Sequence, residues 1–104
     1  MSTTTIAGRQ IEVNEEGFLT DPTVWDEQLG AELARLIGIE LTEPHWAIVR
    51  FLREDYAVQG ETATLRRVHT QTGTPMKELF TLFPGKPAKK MSYVAGLPKP
   101  KGCV

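Results

Sequence analysis

One side chain combines nucleophilic chemistry with an unusual position: Cys103, the single cysteine among 104 residues. A lone thiol excludes an internal disulfide framework and a multi-cysteine zinc site. The ordinary fate of a single cysteine in a cytoplasmic chain is an inert place in the core. Cys103 instead follows Gly102 and precedes only Val104, and terminal residues are poorly ordered unless docked. An exposed thiol is open to oxidation, so its placement calls for a use. A thiolate attacks the sulfur of a persulfide or disulfide and needs an open line of approach. Gly102 leaves one flank of the cysteine bare. Lys99 and Lys101 favour the thiolate and the carboxylate of Val104 opposes them, all through charges that solvent screens.

The other reactive residues offer less. His45 and His69 cannot complete a four-ligand metal site, so neither a metal nor another cofactor is expected. His45, between Pro44 and Trp46 in a helical first turn, reads as a packing or capping residue. Asp21, Asp26, Glu27, Glu40 and Glu43 form no paired-carboxylate pattern suited to acid–base catalysis. Trp25, Trp46, Phe51, Tyr56, Phe80 and Phe83 read as core. Lys86, Lys89, Lys90, Lys99 and Lys101 make the last fifth of the chain basic, either as a solvated face or as a docking surface for an acidic partner. Arg50 and Arg53 lie three apart on one predicted helix and can share a face. With Arg66 and Arg67 they are candidates for a second positive patch.

The elements that must position these groups are short. Thr4–Ala7 and Gln10–Val13 read as strands, Asn14–Gly17 as a turn, and Phe18-Leu19 as the start of a third short strand. So small a meander must pack on something else. Asp21-Pro22 marks a turn or helix entrance. Leu29, Leu33, Leu36 and Ile37 recur at helical spacing from about Asp26 to Ile37, and Gly38 closes that segment. Thr42 caps a helix with an early Pro44, running to about Val58. Shorter helices are expected from Ala63 to Thr70, from Thr74-Pro75 through Leu82, and from Pro87 to Ala95. The expected fold is therefore α+β and mostly helical, a small N-terminal β meander packed on about five short helices. Residues 1–96 form one domain in this reading. Residues 97–104, with prolines at 98 and 100, form a flexible C-terminal arm, because alternate prolines disfavour helix. Eight extended residues span about 25 Å.

Composition narrows the function further. Hydrophobic residues make up 40% and charged residues 24%, as in an ordinary soluble domain. The formal net charge of −1 supplies no global field for nucleic acid, which argues against a DNA-binding regulator and against direct RNA binding. No apolar run approaches the roughly 18 residues of a membrane span. Met1–Thr5 carries no signal-peptide character, so the expected location is the cytoplasm.

Several runs together resemble a known family. They are Lys86-Pro87-Ala88-Lys89-Lys90, Val94-Ala95-Gly96-Leu97-Pro98-Lys99-Pro100 and the terminal Cys103-Val104, preceded by Gly17-Phe18-Leu19, Trp25, residues 41–53, Leu65-Arg66 and residues 79–84. In this order they resemble the DsrC/TusE family of sulfur-relay proteins, which includes the gamma subunit of dissimilatory sulfite reductase. The resemblance implies a β meander against helices with a flexible arm. It implies that Cys103 accepts sulfur as a persulfide from a donor relay complex and passes it to an acceptor enzyme, acting stoichiometrically with partner enzymes. In the TusE branch the sulfur goes towards 2-thiouridine in tRNA. In the DsrC branch a second arm cysteine, eleven positions earlier, takes part in sulfite-reduction chemistry; that position here is Ser92 (103 − 11 = 92). Arg50 and Arg66 match arginines that line the arm's groove in the family. Lys89, Lys99, Lys101 and Gly102 are the further candidates for partner contact. The alternative reading is a non-catalytic accessory partner of a sulfite reductase or another sulfur enzyme.

Overall fold

The computed structural model describes residues 2–101. Strands β1 (Ser2–Ile6) and β2 (Arg9–Val13) pair antiparallel, with Ile6 opposite Arg9 and Ser2 opposite Val13. Ala7 and Gly8 both take positive φ, 53° and 74°, which gives the two-residue connection the twist a hairpin needs. Alternation along β2 puts Ile11 and Val13 inward. The Asn14 side chain accepts from the backbone N–H groups of Glu16 and Phe18. That turn brings Leu19 back to a single bridge with Val13. The third strand expected at Phe18-Leu19 is thus reduced to one bridge, because Asp21-Pro22 opens a 3-10 turn (Pro22–Val24) two residues later.

Five helices follow among the described residues: α1 (Glu27–Leu36), α2 (Glu43–Gln59), α3 (Leu65–Thr72), α4 (Met76–Leu82) and α5 (Pro87–Val94). Their starts follow from local chemistry. Asp26 accepts from the Leu29 N–H at 2.9 Å and Thr64 from the Arg67 N–H at 3.2 Å, each satisfying one orphan donor of a first turn. At α2 the Thr42 N–H donates to His45 Nδ1 at 3.1 Å. A backbone N–H can only donate, so Nδ1 accepts, and the neutral ring carries its proton on Nε2, which donates to the Leu82 carbonyl at 2.8 Å. His45 is a buried cap joining α2 to the end of α4, as its place in the first turn predicts.

Two apolar clusters fill the interior. One lies under the hairpin, where Ile6, Ile11 and Val13 meet Leu29 and Leu33 of α1. The larger joins α2, α3, α4 and α5 around Leu52, Val68, Leu79, Phe83 and Met91. Trp25 and Tyr93 touch both clusters. Of the aromatic residues expected in the core, Phe83 is fully buried and Phe80 is 47% exposed. Leu79 and Phe83, four apart, take the inward face of α4 and leave Phe80 outside it. No helix among the described residues is long and apolar enough to cross a membrane.

Candidate functional site

The site is built at the end of α5. Pro87 opens this helix, where a missing N–H costs nothing. Met91, Ser92 and Val94 are buried on its inner side. The Ser92 hydroxyl donates to the Ala88 carbonyl one turn back, at 2.8 Å. Gly96, at φ 70°, then turns the chain out of the helix. Leu97 N–H donates to the Ser92 carbonyl and Gly96 N–H to the Tyr93 carbonyl, each at 3.1 Å, the paired bonds of a Schellman ending.

The two carbonyls beyond that motif are met by distant side chains. Trp25 Nε1 donates to the Val94 carbonyl at 2.9 Å. Arg53 Nη1 donates to the Ala95 carbonyl at 2.8 Å, while its Nη2 reaches the Pro22 carbonyl at 2.9 Å. The Arg53 guanidinium stacks 4.3 Å from the centre of the Trp25 ring. The indole also closes over Gly96, where a Cβ would come within 2.4 Å of Trp25 Cδ1.

Beyond Gly96, residues 97–101 rest against the body. Leu97 is 1% exposed and belongs to the larger cluster. Nothing in the proline-rich local sequence signals this; the hole it fills is made by distant elements. Thr62 Oγ1 donates to the Pro98 carbonyl at 2.7 Å, and Pro100 is buried. Lys99 Nζ lies 3.0 Å from Glu16 Oε1, and Lys89 Nζ lies 3.8 Å from the other oxygen of the same carboxylate. The hydrogen bond from Lys99, aided by the charges of Lys99, Lys89 and Lys86, holds the Glu16 carboxyl below its ordinary value. Beside it a cleft of about 360 Å³ is walled by Lys86, Lys89, Lys90 and Glu16 and floored by Phe18 and Tyr93. Burial pushes the Tyr93 hydroxyl up.

The structure therefore gathers Lys89 and Lys99 around Glu16. Lys101 pairs separately with Glu61 at 3.2 Å. Arg50 reaches Glu27 at 3.4 Å and lies 5.8 Å from the centre of the Trp46 ring. Arg66 is exposed on the first turn of α3. Arg67 makes a two-atom contact with buried Asp55, which raises the guanidinium's already high value. Gly102 and Cys103 lie outside the described residues. Sequence reasoning placed Arg53 only in a general positive patch and missed its hold on Ala95. It also missed Glu16 and Thr62 as partners of the arm, since no local pattern ties an acidic turn or a lone threonine to a segment so far along the chain.

Comparison with known proteins gives one consistent result. The model of the DsrC like protein family matches residues 5–104. Sulfurtransferase TusE of Pectobacterium atrosepticum is 38% identical over 104 residues, covering 93% of this chain and 95% of that protein. Sulfurtransferase TusE of Yersinia pseudotuberculosis is also 38% identical, covering 93% and 96%. Among solved structures, the NMR structure of Allochromatium vinosum DsrC superposes with a TM-score of 0.86 at 38% identity, covering 98% of this chain and 97% of that one. The crystal structure of the oxidized gamma subunit of dissimilatory sulfite reductase from Archaeoglobus fulgidus gives 0.83 at 34% identity, covering 99% and 100%. The fold expected from the sequence, a small β unit on five helices, is the fold of these proteins.

Proposed function

This chain belongs to the DsrC like protein family, and from that premise we propose that it is a cytoplasmic sulfur carrier that holds persulfide sulfur on Cys103. The observation that carries the reading is the match running through the arm to residue 104 in a chain with a single thiol. The curated relatives are named as sulfurtransferases, which supports it.

The chemistry needs only that thiol. Cys103 loses its proton, and the thiolate attacks the outer sulfur of a donor persulfide. A new S–S bond forms as the donor's S–S bond breaks. The electron pair of the broken bond stays on the donor sulfur, which takes up the proton. Cys103 then carries the persulfide, with no net oxidation or reduction. An acceptor nucleophile repeats the exchange and regenerates the thiol. The lysines around the Glu16 cleft, with Lys99 and Lys101 on the arm, suit contact with an acidic donor or acceptor surface. Relay towards 2-thiouridine in tRNA is the finer form of the proposal.

Ser92 shapes this reading. Its hydroxyl cannot form a disulfide with Cys103, so two-thiol chemistry within the chain is replaced by one-thiol carriage. The same serine favours a second reading, in which the protein docks on a sulfite-reductase-like enzyme as a non-catalytic accessory. A loading assay with a cysteine desulfurase, L-cysteine and a sulfur-relay complex, read by intact mass, separates the two. One added sulfur on the wild type and none on Cys103→Ser is the expected result. Equal uptake by both proteins overturns the carrier reading. Retained binding to a sulfur enzyme with no uptake by either establishes the accessory one.

A further inference from the structure

We propose that Trp25 and Arg53 are positioning residues for sulfur transfer, locking the last carbonyls of α5 and so fixing the direction in which the arm leaves the domain. The inference rests on the carrier reading of Cys103 and adds to it the device that aims the thiol.

The last four carbonyls of a helix have no partner within it, and at an exposed end water serves them. At α5 none of the four is left to water. Ser92 and Tyr93 are met by the backbone turn, Val94 by Trp25 and Ala95 by Arg53. A Schellman turn is by itself enough to stop a helix. The two extra bonds instead fix the peptide planes on either side of Ala95, from which the chain departs. They also cross-check each other. Arg53 holds Pro22 with its second nitrogen, and Pro22 opens the short turn that leads into Trp25. The guanidinium lies on the indole, and the indole fills the space beside Gly96. Because the Val94 and Ala95 carbonyls flank one Cα, a backbone rotation at Ala95 turns one bonded carbonyl against the other. Lysine cannot replace Arg53, because one ammonium has neither the planar face for stacking nor the fork for two carbonyls set apart.

The test uses the full chain with Arg53→Lys, Arg53→Gln and Trp25→Phe, and Glu54→Gln as an exposed neighbour. Nitroxides on Cys103 and on Gln28→Cys, an exposed α1 position, give the distance distribution of the arm's end by double electron–electron resonance. In parallel, unlabelled proteins are assayed for sulfur uptake from a cysteine desulfurase with its relay complex. Alkylation by iodoacetamide reports the thiol itself. All measurements are made below the thermal transition of each variant. The expected result for the three clamp variants is a broadened distribution and uptake slowed about tenfold, as for a reacting group displaced by a fraction of its ideal position. Alkylation should stay within about twofold of wild type, because a small reagent needs no aim. Glu54→Gln should match wild type throughout. Superimposable distributions, unchanged uptake, or alkylation slowed as much as uptake would each overturn the proposal. If the wild type takes up no sulfur, the carrier reading falls, and the distance distributions alone decide whether the clamp exists.

Discussion

Glu16 and Lys99 meet at 3.0 Å across 83 residues of sequence, joining the turn after the hairpin to the segment that leads to Cys103. The carboxyl is held below its ordinary value of 4.5, first by the Lys99 hydrogen bond. A depressed carboxyl stabilises its contact above the unfolded value, and that contribution is lost as pH falls through the folded value. The Lys99 contact should therefore be complete at neutral pH and dissolve as pH drops below 4.5. The Lys99 amide and Nζ shifts in NMR should titrate with Glu16 in that acid range. Glu16→Gln should remove the titration and leave the shifts near their acid values.

Gly96→Ala should be among the costliest single changes in the chain. The position combines φ 70° with a Cβ only 2.4 Å from Trp25 Cδ1. Left-handed backbone for alanine and overpacking against a fixed indole together predict a loss of about 2–4 kcal/mol in urea denaturation. A loss under about 0.5 kcal/mol would mean that the indole is free to move aside.

His45→Ala should cost about 2 kcal/mol by the same measurement. It removes the acceptor of the Thr42 N–H and leaves the Leu82 carbonyl without its donor. His45→Gln, which keeps one polar reach, should recover part of the loss. Sulfur uptake per folded molecule should be unchanged in both.

Ser92→Ala should be close to neutral, within about 0.5 kcal/mol. A mid-helix serine bonded to the preceding turn gains little, and alanine is the better helix former. Uptake of sulfur at Cys103 should match wild type. A large fall would place the buried hydroxyl in the chemistry.

Much of this was legible in the chain. Thr42 and Pro87 carry the local signals that set where α2 and α5 begin. Asp26 and Thr64 cap α1 and α3 by the same chemistry but were not singled out, and α3 starts at Leu65 where Ala63 was expected. Capping is a contest settled within four residues, so short-range chemistry reveals it. The periodicity of α1 was read well at Leu29 and Leu33 and too generously at Leu36, which is 52% exposed. Spacing alone cannot say where the stripe outruns its partner. Of the candidate site, the basic segment was legible at Lys89 and Lys99, while Cys103 lies outside the described residues. The site's supports were not legible, because Trp25, Arg53, Glu16 and Thr62 act on residues that only tertiary packing brings near.

Leu97 has a consequence for the geometry of any encounter. Its side chain is sealed inside the body, 1% exposed, and drawing it out costs about 2 kcal/mol, a roughly thirtyfold bias towards staying put. Even with the Thr62 bond to Pro98 and the packing of Pro100 released, the tether begins at Pro98, and six residues extend at most about 20 Å. On the proposed carrier role, a protein trading sulfur with position 103 must bring its own reactive atom inside that radius. The leash is shorter than the loose-looking tail advertises, and client selection by shape becomes correspondingly stricter.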